Sequence, residues 1–233
     1  NAFIRDGKLI IKAKKEDYEN RNFTSARLTT KDNIFVKYGK IEAMIKLPSG
    51  KGTWPAFWMM PQNSEYGAWP RSGEIDIMEH IGSDPDMISF AMHTRNQNGS
   101  SGNNWYKQIR PGNVEHQFHL YGIEWLEDRI AFYVDGVKEA TYWNDLLGDY
   151  KTWPFDKEFF VILNMALGGK MGGDLDESIF DSDIEMEVDY VRIYQKTANS
   201  MDEKTSPTEK ITVDKSAEII KITDVAQNSK INL

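Results

Sequence analysis

Lys40-Ile41-Glu42-Ala43-Met44-Ile45-Lys46-Leu47 alternates, with Ile41, Ala43, Ile45 and Leu47 on one parity and Lys40, Glu42, Met44 and Lys46 on the other. Successive side chains of a strand point to opposite faces, so this octet predicts an antiparallel strand with one face buried and the other mostly in water. Further on, Ile130, Phe132 and Val134 lead into Asp135-Gly136 and then Val137 to Tyr142. An Asp-Gly pair between two alternating runs predicts a hairpin. The run Glu158 to Leu167 (EFFVILNMAL) is apolar at nearly every position, is short, and stops at Gly168-Gly169. That predicts a strand covered on both sides rather than a surface helix. Val188 to Tyr194 predicts another strand. Many short strands, turn residues about every 8 to 12 positions and no long helical period make the chain all-β, a sandwich or barrel.

With 233 residues the chain suits one large all-β domain as well as two smaller ones. Its 40% hydrophobic and 27% charged residues allow a sizeable core. The aromatic share is 12%, including Trp 7 and Tyr 10, and such rings are costly to expose unless they pack or bind something flat; a sugar face is one such partner. A net charge of -8 without basic runs argues against a nucleic-acid partner. No apolar run is long enough to cross a bilayer. The absence of cysteine removes disulfides, thiolate metal sites and thiol catalysis, and leaves the compartment open. A chain that begins with Asn1 and carries no signal peptide reads as a processed or trimmed product. Residues 1–196 form the expected folded unit. Residues 197–233 hold no aromatic residue and many charged and hydroxyl side chains, and read as a linker, a tail or the start of a further module with a strand such as Ile219 to Ile222.

The chemistry-bearing segment is Ser72-Gly73-Glu74-Ile75-Asp76-Ile77-Met78-Glu79-His80. On a regular strand Glu74 and Asp76 share a face, whereas Glu79, five positions after Glu74, points the other way. A β-bulge around Ile77-Met78 shifts the parity and returns Glu79 to the face of the other two acids. Three crowded carboxylates raise each other's proton affinity, so one stays protonated while another ionises. Glycosidic cleavage needs that split: one carboxylate attacks the anomeric carbon and one acid protonates the leaving oxygen. A solvated acidic strand or a calcium site is the alternative reading of the same residues.

The chain resembles the laminarinase-like branch of glycoside hydrolase family 16. The residues that carry the resemblance are TSARLTT (Thr24 to Thr30), YGKIEAMIKLPSGKGTWPAFWMMP (Tyr38 to Pro61), WPRSGEIDIMEHIG (Trp69 to Gly82), LNMALGG (Leu163 to Gly169) and VDYVRIYQ (Val188 to Gln195). The resemblance implies a concanavalin-like jelly-roll β-sandwich with a substrate cleft on its concave sheet. It also implies a retaining reaction in which Glu74 is the nucleophile, Glu79 the general acid/base and Asp76 the residue that orients the pair. The Glu-x-Asp-x-x-Glu spacing is similar to the laminarinase side of the family. Family members usually begin with an Asp-Glu-Phe-type start and an Asn-Glu-rich strand, which are not found here. That leaves two expectations, a cleaved N-terminal piece that still associates or a truncated core. A calcium site near Asp189 is a further implication; the chemistry itself requires no cofactor.

Supporting residues follow from the same segments. Trp54, Trp58 and Trp69 flank the acids and are candidates to stack on a pyranose, although Trp54 and Trp58 lie four apart on one strand face and one of them is equally readable as core. His93 ends the alternating run Ile88 to Thr94 and is a candidate to hydrogen-bond a sugar hydroxyl or a carboxylate. Arg27 reads either as a cleft residue or as half of an ion pair. Trp105 follows the Gly/Asn/Ser-rich stretch Asn96 to Asn104, typical of a cleft-edge loop, and is a further stacking candidate. His80, His116 and His119 read as structural. The expected partner is a β-glucan, laminarin-type with or without mixed linkages, acted on by a secreted, periplasmic or surface-held monomer. A lectin on the same sandwich and a transglycosylase using the same carboxylates are the competing readings.

Overall fold

A computed structural model of the chain describes residues 1–196 and the backbone of Ile219–Ile220. In chain order the first strands are β1 Ala2–Arg5, β2 Lys8–Tyr18, β3 Arg21–Thr24, β4 Arg27–Thr29, β5 Phe35–Val36, β6 Gly39–Lys46, β7 Thr53–Pro61 and β8 Glu74–His80. They are followed by β9 Ile88–His93, β10 Trp105–Ile109, β11 His119–Trp125, β12 Arg129–Val134, β13 Val137–Trp143, β14 Phe159–Leu167, β15 Ile184–Tyr194 and β16 Ile219–Ile220. Helix is confined, among the described residues, to Gly169–Gly172 and a 3-10 turn at Glu177–Asp181.

Two antiparallel sheets result. The larger runs β1-β2-β15-β6-β11-β12-β13, with β3 beside β2 and β16 against β15; the smaller runs β10-β9-β8-β7-β14-β4, with β5 also on β14. They pack face to face through large apolar side chains: Phe90 of β9 stacks on Phe132 of β12 at 5.1 Å, and Trp125 of β11 meets Phe159 of β14 edge-on at 5.4 Å. This is the jelly-roll sandwich expected from the sequence.

The patterns that predict the fold act as expected. Ile41, Ala43, Ile45 and Leu47 are all buried in the inter-sheet core. The opposite parity is less wet than expected, because Glu42 is itself buried and accepts a hydrogen bond from the Tyr194 hydroxyl at 3.1 Å. Asp135 and Gly136 both adopt positive φ, 50° and 81°, the geometry of a two-residue turn whose twist matches its strands. In β14 one parity, Phe159, Val161, Leu163 and Met165, faces the core. The other parity begins apolar with Phe160 and Ile162 and ends at Asn164 and Ala166, which line a cavity on the outer face of the smaller sheet. The pairing of Ile219–Ile220 with Val191 and Arg192 of β15 adds one short strand to the larger sheet; the other readings made for 197–233 lie outside the described residues.

Candidate active site

The three acids are brought together by a bulge in β8. Against β7, Glu79 pairs with Ala56 and Met78 with Phe57, but the next partner of β7, Trp58, pairs with Asp76, which leaves Ile77 as the extra residue. Against β9 the register also shifts between Asp76 and Glu79, opposite Ala91 and Ser89. Ile75, Ile77 and Met78 all enter the core with 0% exposure. With two consecutive residues turned inward, Glu79 comes back to the outer face beside Asp76 and Glu74. Burying Ile77 and Met78 side by side is what holds the bulge, since straightening it would place one of them in solvent and Glu79 in the core.

The acids line a cavity of about 330 Å³ with Arg27, Trp54, Trp58, Asn164 and Ala166. Trp54 Nε1 donates to Glu79 Oε1 at 3.0 Å, and Trp69 Nε1 donates to Glu74 Oε2 at 2.5 Å. Trp58 Nε1 donates to Asn164 Oδ1 at 2.7 Å, and the Arg27 guanidinium lies 4.5 Å from the centre of the Trp58 ring. Trp69 is exposed at the cleft edge, free to stack on a ligand. His93 Nε2 lies 3.0 Å from Asp76 Oδ2 and 4.0 Å from Glu74 Oε1. Its Nδ1 accepts the Gly99 amide hydrogen at 3.0 Å, so the ring hydrogen sits on Nε2, directed at the acids.

Burial raises the proton affinity of all three carboxyls, and their mutual repulsion adds to it. Glu74 is pushed up to about 8, first by burial and then by Asp76, with His93 and the Trp69 donor opposing. Glu79 is pushed up to about 7 by burial, with the Trp54 donor opposing. Asp76 rises well above its ordinary value through burial and the charge of Glu79. The site therefore holds protonated and ionised carboxyls together near neutral pH.

Most of the expected site residues meet here: Glu74, Asp76, Glu79, Trp54, Trp58, Trp69, His93 and Arg27. Trp54 and Trp58 both belong to the cleft, so neither is core. Trp105 does not join them. It turns inward from β10, with Phe132 at 5.3 Å and Tyr142 at 5.6 Å, and lies half-buried against the core. The Asn96 to Asn104 stretch does border the site, but through Gly99 rather than Trp105. Asp189 is exposed at a register shift of β15 and is not part of any close group of three acids or histidines among the described residues. Glu74, Asp76 and His93 do form such a group, each offering one ligand atom within 4.8 Å of the others. His80 is fully buried between the Met87 carbonyl and Glu115, and His119 contacts Asp135, both structural arrangements. Asn164 escaped the sequence reading, although a lone amide on the outward parity of an otherwise apolar strand is a signal for it.

Residues 1–210 match the profile of Glycosyl hydrolases family 16. The chain belongs to this family. A beta-glucanase of Rhodothermus marinus is 42% identical over 84% of the chain and 70% of its own length. A glucan endo-1,3-beta-glucosidase of Cryptopygus antarcticus is 40% identical over 82% of the chain and 76% of its own length. The X-ray structure of the laminarinase from Rhodothermus marinus superposes with a TM-score of 0.80 at 41% identity, covering 84% of this chain and 80% of that one. As a family 16 member the chain is a glycoside hydrolase, and the cleft of β8 is its candidate active site.

Proposed function

We propose that the chain hydrolyses internal β-1,3-glucosidic bonds of laminarin-type glucan with retention of anomeric configuration. The observation that carries this reading is the β8 bulge, which sets Glu74, Asp76 and Glu79 on one face inside an indole-walled cleft. In the first step Glu74 attacks the anomeric carbon and Glu79 gives its proton to the leaving glycosidic oxygen. In the second, Glu79 takes a proton from water as the water displaces Glu74, releasing the sugar with its original configuration. The first step needs charge on Glu74 and a proton on Glu79; the second starts with Glu79 ionised and Glu74 esterified to the sugar, and restores both groups.

Taken one at a time, values of about 8 and about 7 would order these two groups the other way. The three acids titrate together, however, and the surrounding donors decide where the charge rests. Glu74 accepts from Trp69, lies 4.0 Å from His93 Nε2 and feels the charge of Arg27, whereas Glu79 has the Trp54 donor, with His93 as its smallest influence. Asp76, between them and beside His93, positions Glu74. Trp54, Trp58 and Trp69 supply stacking faces and Arg27 a donor for sugar hydroxyls. Such polymers do not enter cells, which supports a secreted, periplasmic or surface location. The test is proton NMR of the first products from laminarin beside mixed-linkage β-glucan. β-Anomers appearing first from laminarin support the reading, and α-anomers first would refute it. Longer products at high oligosaccharide concentration would instead mark a transglycosylase.

A further inference from the structure

The β9–β10 connection carries Gly99, whose amide hydrogen goes to Nδ1 of His93, and two side chains hold that glycine from opposite sides. The inner hold is Asn98. A short amide side chain readily bonds to nearby backbone, and this one belongs to a residue only 5% exposed. Its Nδ2 donates to the Thr94 and Arg95 carbonyls, each at 3.3 Å, and its Oδ1 accepts the Ser101 amide hydrogen at 3.1 Å. Its own amide donates to Asn103 Oδ1 at 3.1 Å. The turn closes on Asn98, which leaves the next residue little freedom. Gly99 also lies against the imidazole: a Cβ there would stand 3.2 Å from His93 Cε1, tighter than ordinary contact.

The outer hold is Lys170, whose Nζ donates to the Gly99 carbonyl at 2.9 Å. Lys170 belongs to the short helix after β14, and the backbone of that helix lies on Trp54: a Cβ on Gly169 would stand 3.7 Å from Trp54 Cζ3. Trp54 in turn donates to Glu79. The Lys170–Gly99 bond therefore joins the flank of β8 that supplies the Glu79 donor to the flank that supplies His93. His93 Nε2 lies 3.0 Å from Asp76 Oδ2, an oxygen that is buried and receives no aligned hydrogen bond within the protein. What the ring presents there matters: an N–H eases a negative charge on Asp76, and a bare lone pair opposes it. Gly99 decides between the two, because an amide hydrogen on Nδ1 requires that nitrogen to be bare and leaves the ring hydrogen on Nε2.

We propose that Asn98 and Lys170 are positioning residues of the reaction, gripping Gly99 so that His93 keeps its ring hydrogen on the Asp76 side. The kinetic half of the test rests on the glucan reading given above; the spectroscopic half does not. The experiment follows the imidazole nitrogen NMR signals of His93, assigned by their loss in His93→Ala, together with laminarin turnover. It compares the full chain with Lys170→Met, Lys170→Arg and Asn98→Ala, each also combined with His93→Ala. In the parent, Nδ1 gives the signal of a bare nitrogen that accepts a hydrogen bond, and Nε2 carries the hydrogen. Lys170→Met keeps the aliphatic stem and removes the donor, so the Nδ1 signal moves and kcat falls about fivefold, the worth of one hydrogen bond, with KM little changed. Lys170→Arg restores a donor and recovers both readings. Asn98→Ala moves both further than Lys170→Met. On the His93→Ala background neither substitution lowers kcat again, because both act through that ring. A parental Nδ1 signal in a folded variant removes that residue from the role, and losses that add in full to that of His93→Ala overturn the proposal. If Asn98→Ala does not fold, Asn98→Asp, which keeps the acceptor for Ser101 and loses both donors, is read in its place. A parent that shows the His93 signals but cleaves no laminarin overturns the glucan reading, and the Nδ1 comparison alone then judges the grip on Gly99.

Discussion

Replacing Glu79 with glutamine separates the cost of burying a carboxylate from the chemistry that the carboxylate performs. Glutamine keeps the shape of the protonated acid and still accepts from the Trp54 indole, but it cannot ionise. In the folded protein Glu79 is raised from an ordinary 4.5 to about 7, first by burial. A folded-state value above the unfolded one means that the native protein binds this proton more tightly. The associated stability is fully present below about 4.5 and is lost as the pH climbs through about 7. The displacement is about 2.5, and at about 1.36 kcal/mol each it amounts to about 3 kcal/mol at pH 8. Glu79→Gln should therefore match the parent near pH 4 and exceed it by about 3 kcal/mol at pH 8, a Tm gain of about 6 to 12 °C for a domain of this size. Thermal unfolding followed by circular dichroism at pH 4, 6 and 8 reads this directly. Equal melting temperatures at pH 8, or a gain that does not grow with pH, would refute the claim that Glu79 is held protonated by burial.

Four other outcomes follow from the same geometry. Deleting Ile77 straightens β8 and turns Glu79 toward the core, so turnover should fall to the limit of detection and the Tm should drop; a variant with appreciable turnover would remove the bulge from the mechanism. Asn164→Ala takes the acceptor from the Trp58 indole, and a net loss of about 1 kcal/mol should appear as about a fivefold rise in KM with kcat little changed. His93 opposes the raised proton affinity of both Glu74 and Glu79, so His93→Ala should move the pH profile of kcat/KM to higher pH, and a profile moved toward acid would contradict the placement of its Nε2 hydrogen. Trp105→Ala should destabilise the fold by about 3 kcal/mol or more in chemical denaturation while leaving KM unchanged, because its ring packs between the sheets.

The fold was legible wherever one parity of a strand meets the core. Ile41 to Leu47 and the Asp135-Gly136 hairpin needed only side-chain period and turn chemistry. The site was legible to an unusual degree because parity made a discrepancy visible: Glu79 stands at the wrong spacing from Glu74, and the remedy, a bulge at Ile77-Met78, could be named from two adjacent apolar residues. What parity could not show was depth. Glu42 reads as solvent-facing because nothing in its own strand says that Tyr194, 152 positions away, will cover it. Trp105 reads as a cleft residue because its neighbours are loop-like, yet it is the first residue of β10 and its ring goes to whichever face the register with Met92 dictates. Gly99, which fixes the orientation of His93, carried no sequence signal, since its role depends on where the Asn96 to Asn104 connection folds back.

The most direct test of the central claim is release of reducing sugar from laminarin by the parent chain beside its Glu74→Gln and Glu79→Gln variants, each first shown to be folded. The account predicts cleavage by the parent and a loss of at least about a hundredfold in both variants, the lower end of what a positioned acid or base contributes. Cleavage by either folded variant at the parental rate would take that carboxylate out of the mechanism and contradict the account.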